Sequence, residues 1–238
     1  MEIAPGVSAT KDFCLLVGDG PTMVVGDLHL GYEKALESDG LHIPRFNTAS
    51  VREGLNRAIS DHSPESIVLL GDIKHDFRRP EREVREEVLG VLELLVDTAD
   101  VAVVRGNHDN FLQNILSDLG LFATDHIDVH GYRLEHGHED SGARPVIIGH
   151  EHPSVRIRGS VHGDVKIPCF LHFEKEGIVV VPPFSPFPLG SDLSPSDPGQ
   201  FMSPACRAAD AESARVYGVT EIGVLDLGAL GGIKDLEL

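Results

Sequence analysis

Residues 22–29 read TMVVGDLH. Residues 66–72 (SIVLLGD) and 101–109 (VAVVRGNHD) repeat the same plan. In each, a short run of β-branched and aliphatic residues ends in glycine. Aspartate, asparagine or histidine follows at once. Such apolar runs, bounded by turn residues, read as buried strands. Residues 129–134, 145–149 (PVIIG) and 177–181 (GIVVV) read as three more. Between the early strands lie segments with helical spacing. Residues 47–60 place Val51, Leu55 and Ile59 on one face, and residues 82–96 do so with Val84, Val88, Leu92 and Leu95. Residues 110–119 read as a third helix. Strands alternating with helices predict an α/β sheet.

The rest of the chain is consistent with that start. Its 238 residues fit one domain, 1–238, large enough to bury a core without disulfide staples. The 41% hydrophobic content excludes disorder of the whole chain. No apolar run reaches the length of a membrane span, and residues 1–20 lack a secretory pattern. Cys14, Cys169 and Cys206 are odd in number and far apart. They form neither a disulfide framework nor a zinc motif, and a reducing cytoplasmic location follows as an expectation. Residues 185–213 are rich in Pro, Ser and Asp, and most of the segment reads as a long loop. Residues 217–227 (YGVTEIGVLDL) return to strand character.

The formal net charge is −18, from 38 acidic and 20 basic side chains, and only six of the basic residues are lysine. The acids are dispersed along the chain. A surface of this kind suits a protein working in multi-molar salt, where self-repulsion is screened. The plainer alternative is an acidic soluble protein. Either way, the charge argues against a broad basic face for nucleic acid, although not against a local positive site built by metal ions.

The polar residues cluster at the carboxyl ends of the expected strands, the edge where open α/β sheets bind ligands. They are Asp27 and His29, Asp72, Asn107 with His108 and Asp109, His136, and His150 with His152. Asp27 and His29 are two residues apart, as are His150 and His152, so in extended backbone each pair shares a face and can chelate one ion. Imidazole and carboxylate without thiolate suit Mn, Fe or Zn. Asp72 has two oxygens and can bridge two ions, with Asn107 and His136 completing the coordination of the second ion. Two ions roughly 3.5–4 Å apart would clamp a phosphoryl group and furnish a hydroxide nucleophile near neutral pH.

The ordered set GDLH, GD, GNHD, HGH and GHEH, from Asp27 to His152, resembles the calcineurin-like metallophosphoesterase superfamily. The resemblance implies a four-layer αββα sandwich with two divalent metal ions, manganese first among them. It implies Asp27, His29, Asp72 and His152 around one ion and Asp72, Asn107, His136 and His150 around the other. It also implies His108 as the acid that protonates the leaving oxygen, oriented by Asp109. The second motif departs from the family's common GDxxD, reading GDIKHD over residues 71–76.

Further on, KIPCF (166–170), VVPPFS (180–185) and Gly190 look like the tail of the SbcD-related branch. That branch includes the ligase-associated DNA endonucleases of the PdeM type. The resemblance implies a phosphoesterase, with a phosphodiester or DNA as substrate. A nucleotide or small-molecule phosphodiesterase or phosphatase is the alternative, and a non-catalytic scaffold a third. The residues leave other points open. His138 competes with His136 as ligand. Lys74 and His75 read as supports behind the ligands, as substrate contacts or as a solvated turn. Arg45, Arg78 and Arg79 read as phosphate contacts or plain surface residues. Phe184 and Phe187 read as base-stacking or loop-packing residues. Cys169 reads as a small core residue, and His42, His62, His126, His130, His162 and His172 as surface or packing residues.

Overall fold

The computed structural model describes residues 1–19, 21–157, 163–187, 190–193 and 198–235. A first sheet runs in chain order: β1 (Glu2–Ala4), β2 (Val7–Ala9), β3 (Leu15–Val17), β4 (Thr22–Val25), β5 (Ser66–Leu70), β6 (Asp100–Val104) and β7 (Ala123–Thr124). From β4 to β7 all pairings are parallel. The connections carry α1 (Tyr32–Ser38), α2 (Asn47–His62), α3 (Arg82–Val96) and the short α4 (Gln113–Leu116). Helix α2 stops where Ser63 turns left-handed at φ 46° and Pro64 forbids another helical turn.

The second sheet contains β8 (His126–Val129), β9 (Tyr132–Glu135), β10 (Val146–Ile148), β11 (Pro153–Ile157), β12 (Val165–Phe173), β13 (Ile178–Val180) and β14 (Ser191–Asp192). Their spatial order is β14-β11-β12-β13-β10-β9-β8. A hairpin of β15 (Arg215–Thr220) and β16 (Gly223–Ala229) joins through β12. The nine-residue β12 serves β11 with its first half and both β13 and β15 with its second.

Alternation along the strands separates three apolar cores. Met23, Val25, Ile67 and Leu69 face Val51, Leu55, Val88 and Leu92 of α2 and α3. Their neighbours Val24, Val68 and Leu70 face Leu134, Ile147, Phe170 and Val179 of the second sheet. The far side of that sheet packs Ile148, Cys169 and Val180 against Phe201, Ala205, Cys206 and Ile233. Helix α5 (Pro204–Ala208) and 3-10 turns supply this last layer. The result is the expected four-layer αββα sandwich. Each aliphatic side chain removed from water contributes about 1.5–3 kcal/mol before entropy is counted. All three cysteines are buried and free.

Three expectations are corrected and a fourth is met in finer detail. Residues 129–134 are not one strand. His130 (φ 47°) and Gly131 (φ 85°) make a two-residue hairpin turn between β8 and β9. The strand character expected at 217–227 is present as the hairpin β15–β16, turned at Glu221-Ile222. The helix expected at 110–119 shortens to α4 and a 3-10 turn, Ser117–Leu119. The supposed loop 185–213 contains β14, α5 and two 3-10 turns, because Leu193, Phe201, Ala205 and Cys206 carry apolar surface into the outer core. Within that segment, residues 188–189 and 194–197 lie outside the described residues, as does His162. Among the described residues no helix is long and apolar enough to cross a membrane.

Candidate metal centre

The turns after β4, β5, β6, β9 and β10 converge on one edge between the sheets. The first two run side by side: Asp27 N donates to Gly71 O (3.2 Å) and His29 N to Asp72 O (2.9 Å). The proline loop joins them, with Phe184 N donating to Gly26 O (2.9 Å). Asp27, His29, Asp72, His150 and His152 all hold positive φ, between 44° and 64°. For residues with a Cβ such backbone is strained, and the strain sits where side chains are forced inward. The motif glycines are steric requirements. A Cβ at Gly106 would lie 2.1 Å from Asp72 Oδ1, and one at Gly71 would lie 2.4 Å from His136 Nδ1.

Two triads form. The metal-ligating atoms of Asp27, His29 and His152 lie within 4.8 Å of one another, and so do those of Asp72, His136 and His150. His29 Nε2 and His152 Nε2 are 3.2 Å apart, and His152 Nε2 is 3.6 Å from Asp27 Oδ2. Asp72 Oδ2 stands between the triads, 3.9 Å from His29 Nε2 and 3.4 Å from His136 Nε2. Asn107 Oδ1 lies 3.1 Å from His136 Nε2. His136 Nδ1 sits 3.0 Å from the Leu70 carbonyl, a contact that places the ring proton there and turns the Nε2 lone pair inward. His138 joins none of these triads and is exposed, its ring 5.3 Å from that of His136. The residues singled out as metal ligands therefore gather at one edge, and four of them, His29, Asp72, His150 and His152, line an open cleft of about 330 Å³ with His75, His108, Gly190 and Met202.

The site fits divalent cations on its own terms. Asp27 is fully buried, and its Oδ1 has no hydrogen-bond partner, an arrangement that costs free energy unless a cation serves it. Burial opposes the charges on Asp27 and Asp72, yet the facing imidazoles hold both carboxyls below their usual range. Burial pushes His29 down to about 3 and His150 to about 4, which leaves neutral donors. His136 goes the other way. Despite burial, the Asp72 and Asp27 carboxylates raise it to about 9. The same negative field that holds a proton there would draw a metal ion in its place.

Several supporting residues were not legible in the sequence. Asn47 is fully buried, donates from Nδ2 to His29 O (2.9 Å) and accepts from Ser185 Oγ (2.8 Å). Glu33 takes the Asn47 and Phe46 N–H groups. Glu151, between two candidate ligands, accepts from Met202 N (3.0 Å) and Ser203 N (2.8 Å), and burial pushes its carboxyl up to about 7. Only Asn47 left a trace, as a polar residue opening an expected helix.

Two earlier readings change. Asp109 does not touch the His108 side chain. Its carboxylate accepts from Gly106 N, Ile73 N and Lys74 N, while His108 Nδ1 lies against the His75 carbonyl. Residues 74–76 are not a solvated turn. Lys74 is 1% exposed, and its amine donates to the carbonyls of Asp76 and His108. His75 Nδ1 lies 3.3 Å from His29 Nδ1. Arg45 is paired with Glu37 and Glu83, and Arg78 with Asp76. Arg79 has no ion pair or hydrogen bond among the described residues. Phe184 packs against the first core, and Phe187 stacks on Tyr32.

Comparison with known proteins agrees with this architecture. The calcineurin-like phosphoesterase profile matches residues 20–181, more than half of the chain, so the chain belongs to that family. It is a hydrolase of phosphate esters. Among solved structures it is similar to the Pseudomonas putida nuclease MPE, with TM-score 0.68 and 21% identity over 93% of this chain and 94% of that one. A second match is Yfce, a phosphoesterase from E. coli, with TM-score 0.41 and 15% identity over 89% and 93%. No curated protein sequence matches.

Proposed function

We propose that this chain is a dinuclear-metal phosphodiesterase and that DNA is its first substrate to test. The observation that carries the reading is the pair of triads joined by Asp72 and open to a cleft that also holds His108. Asp27, His29, Asp72 and His152 would hold one ion, and Asp72, Asn107, His136 and His150 the other. Manganese is our first choice, since the donors are imidazole and carboxylate; Fe and Zn are the alternatives. When bound, two such ions polarise phosphoryl oxygens and offset the charge that develops on them.

The chain's own groups then have defined tasks. His108 donates a proton from Nε2 to the leaving oxygen. Its Nδ1 is held by the His75 carbonyl, which fixes the ring. Lys74 pins the backbone beneath His108, and Asp109 ties the turns after β5 and β6 together. Asp109 is thus a positioning residue acting through the backbone. The similarity to a protein named as a nuclease supports DNA. The net charge of −18 favours the second reading, a nucleotide or small-molecule phosphodiesterase. The same charge, with few lysines, supports work in concentrated salt, and three buried free thiols support a reducing cytoplasm. The middle core shared by both sheets supports reading residues 1–238 as one domain.

The test compares hydrolysis of a chromogenic phosphodiester and its phosphomonoester with added manganese in concentrated potassium chloride. We expect the diester to be preferred. Preference for the monoester would replace the reading by a phosphatase. Absence of turnover with metal demonstrably bound would favour a scaffold.

A further inference from the structure

One surface feature beside the centre has no part in the chemistry above. Phe77 is 49% exposed, and its ring lies 3.8 Å from that of His108, centroid to centroid, at 31°. One face of Phe77 therefore covers the candidate acid while the ring stays open to solvent. Behind His108 the aromatic contacts continue. His75 stacks on it at 5.3 Å and 26°, Tyr32 lies 4.5 Å from His75, and Phe187 stacks on Tyr32 at 5.1 Å and 3°. Phe46, 43% exposed, ends the arc.

A cationic element adjoins it. Arg79 is two residues from Phe77, is exposed and has no partner among the described residues. With Lys34, Lys74 and Arg78 it lines a cleft of about 120 Å³ that Asp76 and Glu81 also border. An open aromatic face and an unpaired guanidinium on one loop match the two halves of a nucleotide, a flat base and a phosphate. In a chain of net charge −18, attraction of a polyanion by the whole surface is absent. Stacking, which salt does not screen as it screens charge, is the remaining source of affinity.

We propose that Phe77 and Arg79 form a nucleotide subsite on the leaving-group side of the centre. The base of the departing nucleoside stacks on the outer face of Phe77, and the next phosphate along meets Arg79. The side is set by His108, which protonates the leaving oxygen and touches Phe77. This inference rests on the phosphodiesterase reading, and it makes Phe77 a specificity-determining residue.

The test uses two dinucleotide diesters that differ only in carrying a base or an abasic sugar on the leaving side. For each protein the ratio of their kcat/KM values is measured, which cancels any effect of the substitution on His108 itself. We expect the wild type to favour the base-bearing diester. Phe77→Ala should lower the ratio by about 5- to 100-fold, chiefly through KM, and Phe77→Trp should restore it. Arg79→Ala should weaken use of a substrate extended by one further phosphate and flatten its salt dependence. A wild-type ratio near one, or a ratio unchanged in Phe77→Ala, overturns the subsite. Should the wild type cleave neither diester, the functional reading fails. The subsite is then decided by fluorescence of a 2-aminopurine dinucleotide titrated against metal-free protein. Quenching that Phe77→Ala abolishes upholds it, and identical titrations overturn it.

Discussion

The two sheets meet at one edge but bring different chemistry to it. The turns of the first sheet supply both carboxylates, Asp27 and Asp72, together with His29, Asn107 and His108. The turns of the second supply only imidazoles: His136, His150 and His152. Their backing differs as well. The first sheet is covered by helices of 16 and 15 residues, while α5, behind the second, has five. The charged half of the centre thus stands on a deep apolar layer. The imidazole half is held by local hydrogen bonds, such as those from Met202 and Ser203 to Glu151. A carboxylate buried at the meeting edge needs both rigid placement and a compensating cation, and the thick layer supplies the first.

Substitution at the bridge should have the largest effect. Asp72→Ala is expected to reduce turnover to background and to lower metal content, measured by elemental analysis of the purified protein. A full complement of two ions in that variant would remove Asp72 from its place between the halves. Next is His108→Gln, where kcat on a diester with a poor leaving group should fall by about 10²- to 10⁴-fold while metal content stays unchanged. An equal loss on good and poor leaving groups would show that His108 is not the acid.

Packing behind the two halves gives a smaller contrast. Leu55→Ala under the first sheet and Phe201→Ala behind the second should each cost about 3–5 kcal/mol in urea unfolding, as both are buried. Of the two, Phe201→Ala should weaken metal affinity more, since residues 202 and 203 hang on Glu151 between His150 and His152. Equal affinities in the two variants would erase the difference in backing.

The smallest effect concerns pH. Burial holds His29 near 3 and both His75 and His150 near 4. Between about pH 4 and 6.5 the unfolded chain therefore takes up protons that these folded imidazoles refuse. Their contribution to stability is present above that window and is lost as pH falls through it. His75→Asn should shrink the drop in metal-free stability between pH 7 and 5, read by urea titration. An unchanged drop would mean that His75 is not held neutral by its neighbours.

Much of this molecule is local in origin. Short apolar runs and period-3.6 patterns place β4, β5, β6, α2 and α3 within a few residues, because each is long or apolar enough for its own burial to decide it. The candidate ligands were legible for a related reason. Glycine next to Asp72 or Asn107 leaves space that a neighbouring motif fills, so the sequence records the crowding. The hairpin at His130-Gly131 was missed because apolar residues on both sides of a two-residue turn read as one run. Helix α5 was hidden by its Pro, Ser and Asp neighbours, although Phe201, Ala205 and Cys206 supply a buried face.

By itself, then, the sequence determined the early strand–helix alternation, the strand-end motifs and the donor set, because hydrophobic pattern and side-chain chemistry are properties of short segments; the four-layer stacking came only through the resemblance those motifs carry. Only the tertiary structure decided which groups meet. Asp109 grips backbone N–H groups of two turns instead of His108. Lys74 goes inside, and Asn47 and Glu151 become anchors. Phe77 is laid across His108 beside an unpaired Arg79. These pairings join residues up to 138 positions apart, as with Ser185 and Asn47, and no local pattern encodes them. They follow from the parallel order of the strands and from the need of each buried polar group for a partner.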